Sequence, residues 1–172
     1  LMIQPIYVKG DNNQLYKQLD AALAQRAHYI ELKEKSLNDI KQGAKYVTSN
    51  EDKLKLYEQL ANDYKAYEYD SAMTYVNKGL LLAQKSNNIL FNKRFRLSQT
   101  RLLITRGFYA EAKEILQKIA PQEDSHNYQF LYYYTLYELY NNWAAYCENN
   151  EFSKNYNQKK MEYLKKAIEL SP

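Results

Sequence analysis

Gly107-Phe108-Tyr109-Ala110-Glu111-Ala112 is the stretch on which the reading of this chain turns. Glycine takes the backbone of a tight turn between two helices at little steric cost. The aromatic ring two residues on can plug the gap between those helices. Ala112 is then small enough to let a neighbouring helix come close. The arrangement recurs 40 residues upstream as Tyr69-Asp70-Ser71-Ala72, with Tyr67 in the place of the glycine. Near the far end, Ala167 is followed five residues later by Pro172, which halts a helix because it has no N–H to donate. Three fragments of one hairpin, in order along the chain, predict stacked helix pairs.

Around these fragments the hydrophobic period is helical, and no alternation of two persists. Residues 12–42 fit a long amphipathic helix with a stripe at Leu15, Leu19, Leu23, Ile30, Leu37 and Ile40, stopped by Gly43. Ser49 caps a second helix to about Tyr67, with Leu54, Tyr57, Leu60, Ala61 and Tyr64 inward. Asp70-Ser71 is the expected cap of a third, which Ser86-Asn87-Asn88 ends. The fourth spans about 89–106, with Leu90, Phe91, Phe95, Leu102 and Leu103 inward. Tyr109 to Ile119 is the fifth, ended by Pro121. The sixth runs from about Ser125 to Glu148, opening beside Glu123-Asp124, and Asn149-Asn150 break it. The seventh runs from Glu151 to Leu170.

The glycine, aromatic and alanine positions resemble those of a tetratricopeptide repeat. This predicts an all-α fold of tetratricopeptide-like hairpins stacked in a right-handed solenoid, preceded by a long N-terminal helix. Residues 1–11, with Pro5 and Gly10, read as an irregular lead-in, and 12–172 as a single helical repeat domain. The terminal stripe Leu164, Ala167, Ile168 and Leu170 is more apolar than an end cap needs, so a further hairpin is expected beyond Pro172. A first residue that is leucine and not methionine is what leader removal or trimming would leave.

Composition narrows the function. Four glycines and three prolines in 172 residues suit long helices. The 19 tyrosines pair an apolar ring with a wet tip, which suits half-buried positions on curved helical surfaces. A net charge of +4 with interspersed signs gives no strong nucleic-acid or membrane footprint. No apolar run is long enough to span a bilayer. The single Cys147 excludes an intrachain disulfide and any cysteine-only metal site. His28 and His126 stand outside any metal spacing, and neither has a nucleophile placed for a catalytic pair. No glycine-rich phosphate loop is present. The reading is non-enzymatic, with no catalytic residue, no metal and no cofactor.

Beyond the generic repeat, the chain resembles the N-terminal segment of tetratricopeptide-containing regulators of Gram-negative anaerobic bacteria. The residues that carry this are Leu19-Asp-Ala-Ala-Leu-Ala-Gln-Arg26 with Tyr29, Lys33-Glu-Lys35, Leu56-Tyr-Glu-Gln-Leu60 with Tyr64-Lys65, Tyr69-Asp-Ser-Ala72 with Tyr75, Gly107–Ala112, and Tyr132-Tyr-Tyr134. The resemblance implies an extracytoplasmic, periplasmic sensing or interaction segment, followed by a membrane helix and reporting to a cytoplasmic DNA-binding domain.

Two features suggest where a partner would sit. Lys93-Arg-Phe-Arg96, Arg101 and Arg106 form the densest basic region, and Arg94 and Arg101 share a helix face. The tyrosines at 132, 133, 134, 137 and 140 sample every side of the sixth helix, so some face away from the core. The expected site is a groove lined by the first helices of the pairs, with Arg94, Arg101, Tyr133 and Tyr137 contacting a protein or peptide. A cytoplasmic adaptor that binds an extended peptide is the alternative. Nucleic-acid binding through the 94–106 helix is a distant third, because that run has one aromatic and no recognition motif.

Overall fold

The structure is a computed structural model that describes residues 12–43, 46–121, 125–148 and 151–171. The expected lead-in at 1–11, Glu123-Asp124, the Asn149-Asn150 break and Pro172 lie outside the described residues. The chain divides into two compact units, residues 1–46 and 47–172.

In the first unit, α1 (Asn12–Gly43) ends at the expected glycine. Its predicted inward stripe is not buried along the N-terminal half: Leu15, Leu19 and Leu23 are all more than half exposed. Among the described residues of that unit α1 is the only α-helix.

The second unit holds α2 (Asn50–Tyr64), α3 (Tyr69–Lys85), α4 (Ile89–Thr105), α5 (Tyr109–Lys118), α6 (His126–Tyr146) and α7 (Phe152–Glu169). Its helix boundaries follow local chemistry. The hydroxyl of Ser49 accepts from the Asp52 amide at 3.4 Å, and Asn88 caps α4 by accepting from the Phe91 amide at 3.1 Å. Asn87 takes the left-handed backbone at φ 51° just after α3, and Gly107 does so at φ 81° between α4 and α5. The third helix begins earlier than expected. Glu68, not Asp70, is its cap, with a carboxylate long enough to reach the Ser71 amide at 3.1 Å.

The helices form antiparallel pairs α2/α3, α4/α5 and α6/α7, as the repeat fragments predict. Each second helix also packs on the next first helix, α3 on α4 and α5 on α6. The first helices α2, α4 and α6 touch in a row. Ala72, Ala112 and Ala167 are all buried, which is how the small residues let helices approach. Gly79 shows the closest such approach: a methyl group there would run into the ring of the fully buried Phe95. One core gathers Leu54, Ala83, Phe91 and Phe95; another gathers Leu97, Ile104, Ala112 and Leu116 with Tyr128, Tyr132, Leu139 and Tyr140.

In this second unit one residue expected inward, Leu90, points outward. Leu90 is 52% exposed, because the buried face of α4 runs through Phe91 and Phe95, about 100° of helix turn away. Ile168 is 64% exposed, whereas Ala167 beside it is buried.

Candidate functional site

The row of first helices presents one polar face, and the helical period explains which residues it shows. Positions i, i+4 and i+7 share a face. On α2 that row is Glu58 and Asn62, continued by Lys65 at its C-cap; on α4 it is Arg94, Ser98 and Arg101; on α6 it is Leu131, Thr135 and Glu138. Glu58, Asn62, Arg94 and Arg101 rim a hollow of about 190 Å³, with Leu97, Ser98, Leu131 and Thr135 completing its walls. A second, narrower cleft beside it reaches Lys65 and shares Asn62, Ser98 and Arg101 with the first.

Two arginines of α4 tie the row together. Arg94 Nε donates to Glu58 on α2 at 2.8 Å, and its Nη2 donates to the other carboxylate oxygen. Arg101 does the same towards α6, with Nε to Glu138 at 2.7 Å and Nη2 at 3.1 Å. Both are fork-to-fork pairs that fix geometry as well as charge. They join residues 36 and 37 apart, close to one repeat length, so each links equivalent places on consecutive first helices. Arg101 also lies over the ring of Tyr134, 5.8 Å from its centre.

Lys65 differs from its neighbours. It is half-buried, and its ammonium has no hydrogen bond or ion pair among the described residues. Burial, and after it the nearby guanidinium of Arg101, hold that ammonium below the usual lysine range, with Glu138 pulling back less strongly.

The expected site residues separate. Arg94 and Arg101 meet in the hollow. Tyr137 is half-buried and lies 5.8 Å, ring to ring, from Tyr134. Tyr133 turns away towards the second helix of its own pair. It stacks on Tyr163 of α7 at 6.4 Å, with the Lys166 ammonium 5.5 Å above its ring. The rest of the basic region disperses: Arg106 lies over the Tyr69 ring at 4.5 Å, Lys93 over the Tyr128 ring at 5.2 Å, and Arg96 bonds Gln99 at 3.0 Å. Sequence reasoning misses Glu58, Asn62, Lys65 and Glu138. The signal for them is present as polar residues at i, i+4 and i+7 opposite the buried stripes, with opposite charges one repeat apart.

Behind that face, α6 and α7 are joined by aromatic rings. Trp143 stacks on Tyr156 at 4.7 Å and on Tyr109 of α5 at 5.7 Å, and Tyr140 stacks on Tyr163 at 5.6 Å. The hydroxyls of Tyr128 and Tyr132 reach back to α5 and its end, donating to the carbonyls of Ile119 at 2.7 Å and Leu116 at 3.2 Å. Burial pushes the Tyr132 and Tyr140 phenols up to about 12.

His28 and His126 are solvent-exposed, and Cys147 is half-buried at the end of α6. Among the described residues no group of His, Cys, Asp or Glu is placed to hold a metal ion. No helix of the described residues is long and apolar enough to cross a membrane. No curated protein and no solved structure matches the chain. The model of the SusR N-terminal TPR domain matches residues 23–172, from within α1 through all three hairpins. With that match covering most of its length, the chain belongs to the SusR N-terminal TPR domain family.

Proposed function

We propose that this domain is the non-enzymatic sensing or interaction segment of a bacterial transcriptional regulator, that it works in the periplasm, and that it binds a protein or peptide on the face formed by α2, α4 and α6. The observation that carries the reading is the side-by-side packing of the first helices, which brings polar rows from three repeats into one hollow. A repeat array offers such a face because each hairpin contributes an equivalent strip of it. The family supports the interaction role, and the resemblance to tetratricopeptide-containing regulators supports the regulatory one. Two cations of the basic region, Arg94 and Arg101, are already paired with glutamates, which disfavours a phosphate-backbone partner.

Selection of a random displayed peptide library on the domain tests the reading. Asn62→Trp fills the hollow, and Tyr137→Ala removes the ring beside Tyr134. Selected peptides should bind either variant at least about tenfold more weakly, as for a residue at the centre of an interface. Undiminished binding to both would move the site elsewhere. Cell fractionation of the native protein, with the domain found on the cytoplasmic side, would overturn the periplasmic assignment in favour of an adaptor.

A further inference from the structure

The first unit carries an apolar stripe that stands in water. Every residue of α1 from Asn13 to Tyr29 is exposed, and burial along the helix begins at Ile30 and is complete at Leu37. Leu15, Tyr16, Leu19, Leu23 and Tyr29 are each at least half exposed. Exposed apolar residues scattered singly are ordinary, but these five share one side of one helix.

Their spacing says what kind of neighbour fits. From Tyr16 the stripe advances in alternating steps of three and four residues, to Leu19, Leu23, Arg26, Ile30 and Lys33. A mean step of 3.5 residues keeps a seam straight when two helices wind around each other. A helix lying on a lipid surface instead carries a strongly cationic polar face. Residues 13–29 hold two cations, Lys17 and Arg26, and Arg26 sits in the stripe itself. The exposed parts of the five apolar side chains amount to roughly 600 Å² per copy, the lower end of what a specific pair of chains buries.

The stripe complements itself in one direction. Parallel pairing in register would set Arg26 against Arg26 of the second copy, and Lys33 against Lys33, with like charges facing across the seam. Antiparallel pairing centred near Ala21 sets Leu19 of each copy beside Leu23 of the other. It also sets Arg26 beside the ring of Tyr16, where a guanidinium and an aromatic face attract.

We propose that α1 pairs antiparallel with α1 of a second copy of this chain through Tyr16, Leu19, Leu23 and Arg26, which makes the domain a weak, concentration-dependent dimer. Tyr16 and Leu19 lie ahead of residue 23, where the family match begins, so the seam starts outside the matched residues. The pairing is independent of the peptide-binding reading, which concerns the second unit.

Sedimentation equilibrium of the domain, from micromolar to sub-millimolar concentration, should show a monomer–dimer equilibrium. Leu19→Glu should weaken it at least about a hundredfold, because each dimer loses two buried leucines and gains two carboxylates in the seam. Leu81→Glu, at an exposed leucine of α3, should leave it unchanged. The unfolding midpoint followed by Trp143 fluorescence should be the same in both variants, which separates lost pairing from lost folding. In a Cys147→Ser background, mixed Tyr16→Cys and Arg26→Cys chains should form the mixed disulfide in preference to either symmetric one. A wild type that stays monomeric, or a dimer indifferent to Leu19→Glu, would overturn the pairing. Tyr16→Cys linking chiefly to itself would overturn its antiparallel order. A monomer that binds phosphatidylglycerol-containing vesicles through Leu19 would assign the stripe to a membrane surface instead.

Discussion

The two sides of α6 are joined to the rest of the array by opposite chemistry. Towards α4, outside the core that Leu97 and Ile104 share with Tyr132 and Leu139, its exposed edge is tied by one arginine–glutamate pair, Arg101 to Glu138, beside an open hollow. Towards α7 it is joined by a ladder of rings, with Tyr133 and Tyr140 on Tyr163 and Trp143 on Tyr156. The ring ladder removes apolar area from water and contributes stability in proportion to that area. The ion pair is partly exposed, so its Coulomb gain is small, and what it supplies is alignment plus unused donors. The open edge of that face, proposed above for a partner, is held by a contact that is weak for folding and specific in direction. The face that only has to stay shut is held by burial.

The sharpest way to break this contrast is to cut the ladder. Trp143→Ala removes a ring in contact with Tyr109, Tyr140 and Tyr156. A fully buried Trp would cost about 3–5 kcal/mol on truncation, and Trp143 is partly exposed, so about 2–3 kcal/mol is expected. Denaturant unfolding measures it, and a loss below about 1 kcal/mol would equalise the two sides. Next in size is Ala112→Leu at the close approach of α5. Ala112 is fully buried among Leu97, Ile104 and Leu116, so the added methylenes should cost about 1–3 kcal/mol. An unchanged midpoint would show that the alanine does not mark the tight contact.

The aromatic side of α6 also carries a pH signature. Tyr132 and Tyr140 have phenols pushed by burial up to about 12, from a reference of 10. The folded state therefore holds protons that the unfolded chain releases. The stabilisation is complete below pH 10 and is lost as pH climbs through about 12. Thermal midpoints should fall over that window, and Tyr140→Phe should flatten the fall. A wild-type midpoint that is level between pH 10 and 12 would contradict the buried placement of these rings.

Much of the fold is legible in the sequence because its signals are local. Gly107 and Ala112 mark a turn and a close contact within six residues, and both behave as read, whereas the ring of Tyr109 lies against Trp143 and Tyr146 of α6. The misreadings come from properties that local pattern does not carry. Hydrophobicity alone places Leu90 inward, although one position of helical phase separates it from the buried face. Glu68 escapes sequence reasoning because a glutamate caps a helix only when its longer side chain happens to fold back onto the amide. The leucines of α1 have the right period, but period alone does not supply a neighbouring helix. The site is half legible. Arg94 and Arg101 share a face by spacing alone, whereas their glutamates sit 36 and 37 residues away on other helices. Membership of a tyrosine run points Tyr133 at the groove, yet helical phase turns it to α7.

The smallest expected effect lies on the ion-paired side, and there the sign matters more than the size. A double-mutant cycle of Arg101→Met and Glu138→Gln should give a coupling below about 1 kcal/mol, because both side chains remain about a quarter exposed. Raising the salt concentration should shrink it further. Lys65→Met, in the same cleft, should do the opposite of a normal truncation and raise the unfolding midpoint. Its ammonium is held below the usual lysine range by burial and by Arg101, so folding disfavours its charged form. Below that lowered pKa the charge opposes folding. As pH rises from there to the unfolded value of 10.5, the unfolded chain keeps a proton that the folded one has shed, so wild-type stability gains with pH. Lys65→Met removes that gain, which isolates it from the tyrosine effect when the two proteins are compared. A lowered midpoint for Lys65→Met would mean that the lysine is compensated within the fold, with the pull of Glu138 outweighing burial and Arg101.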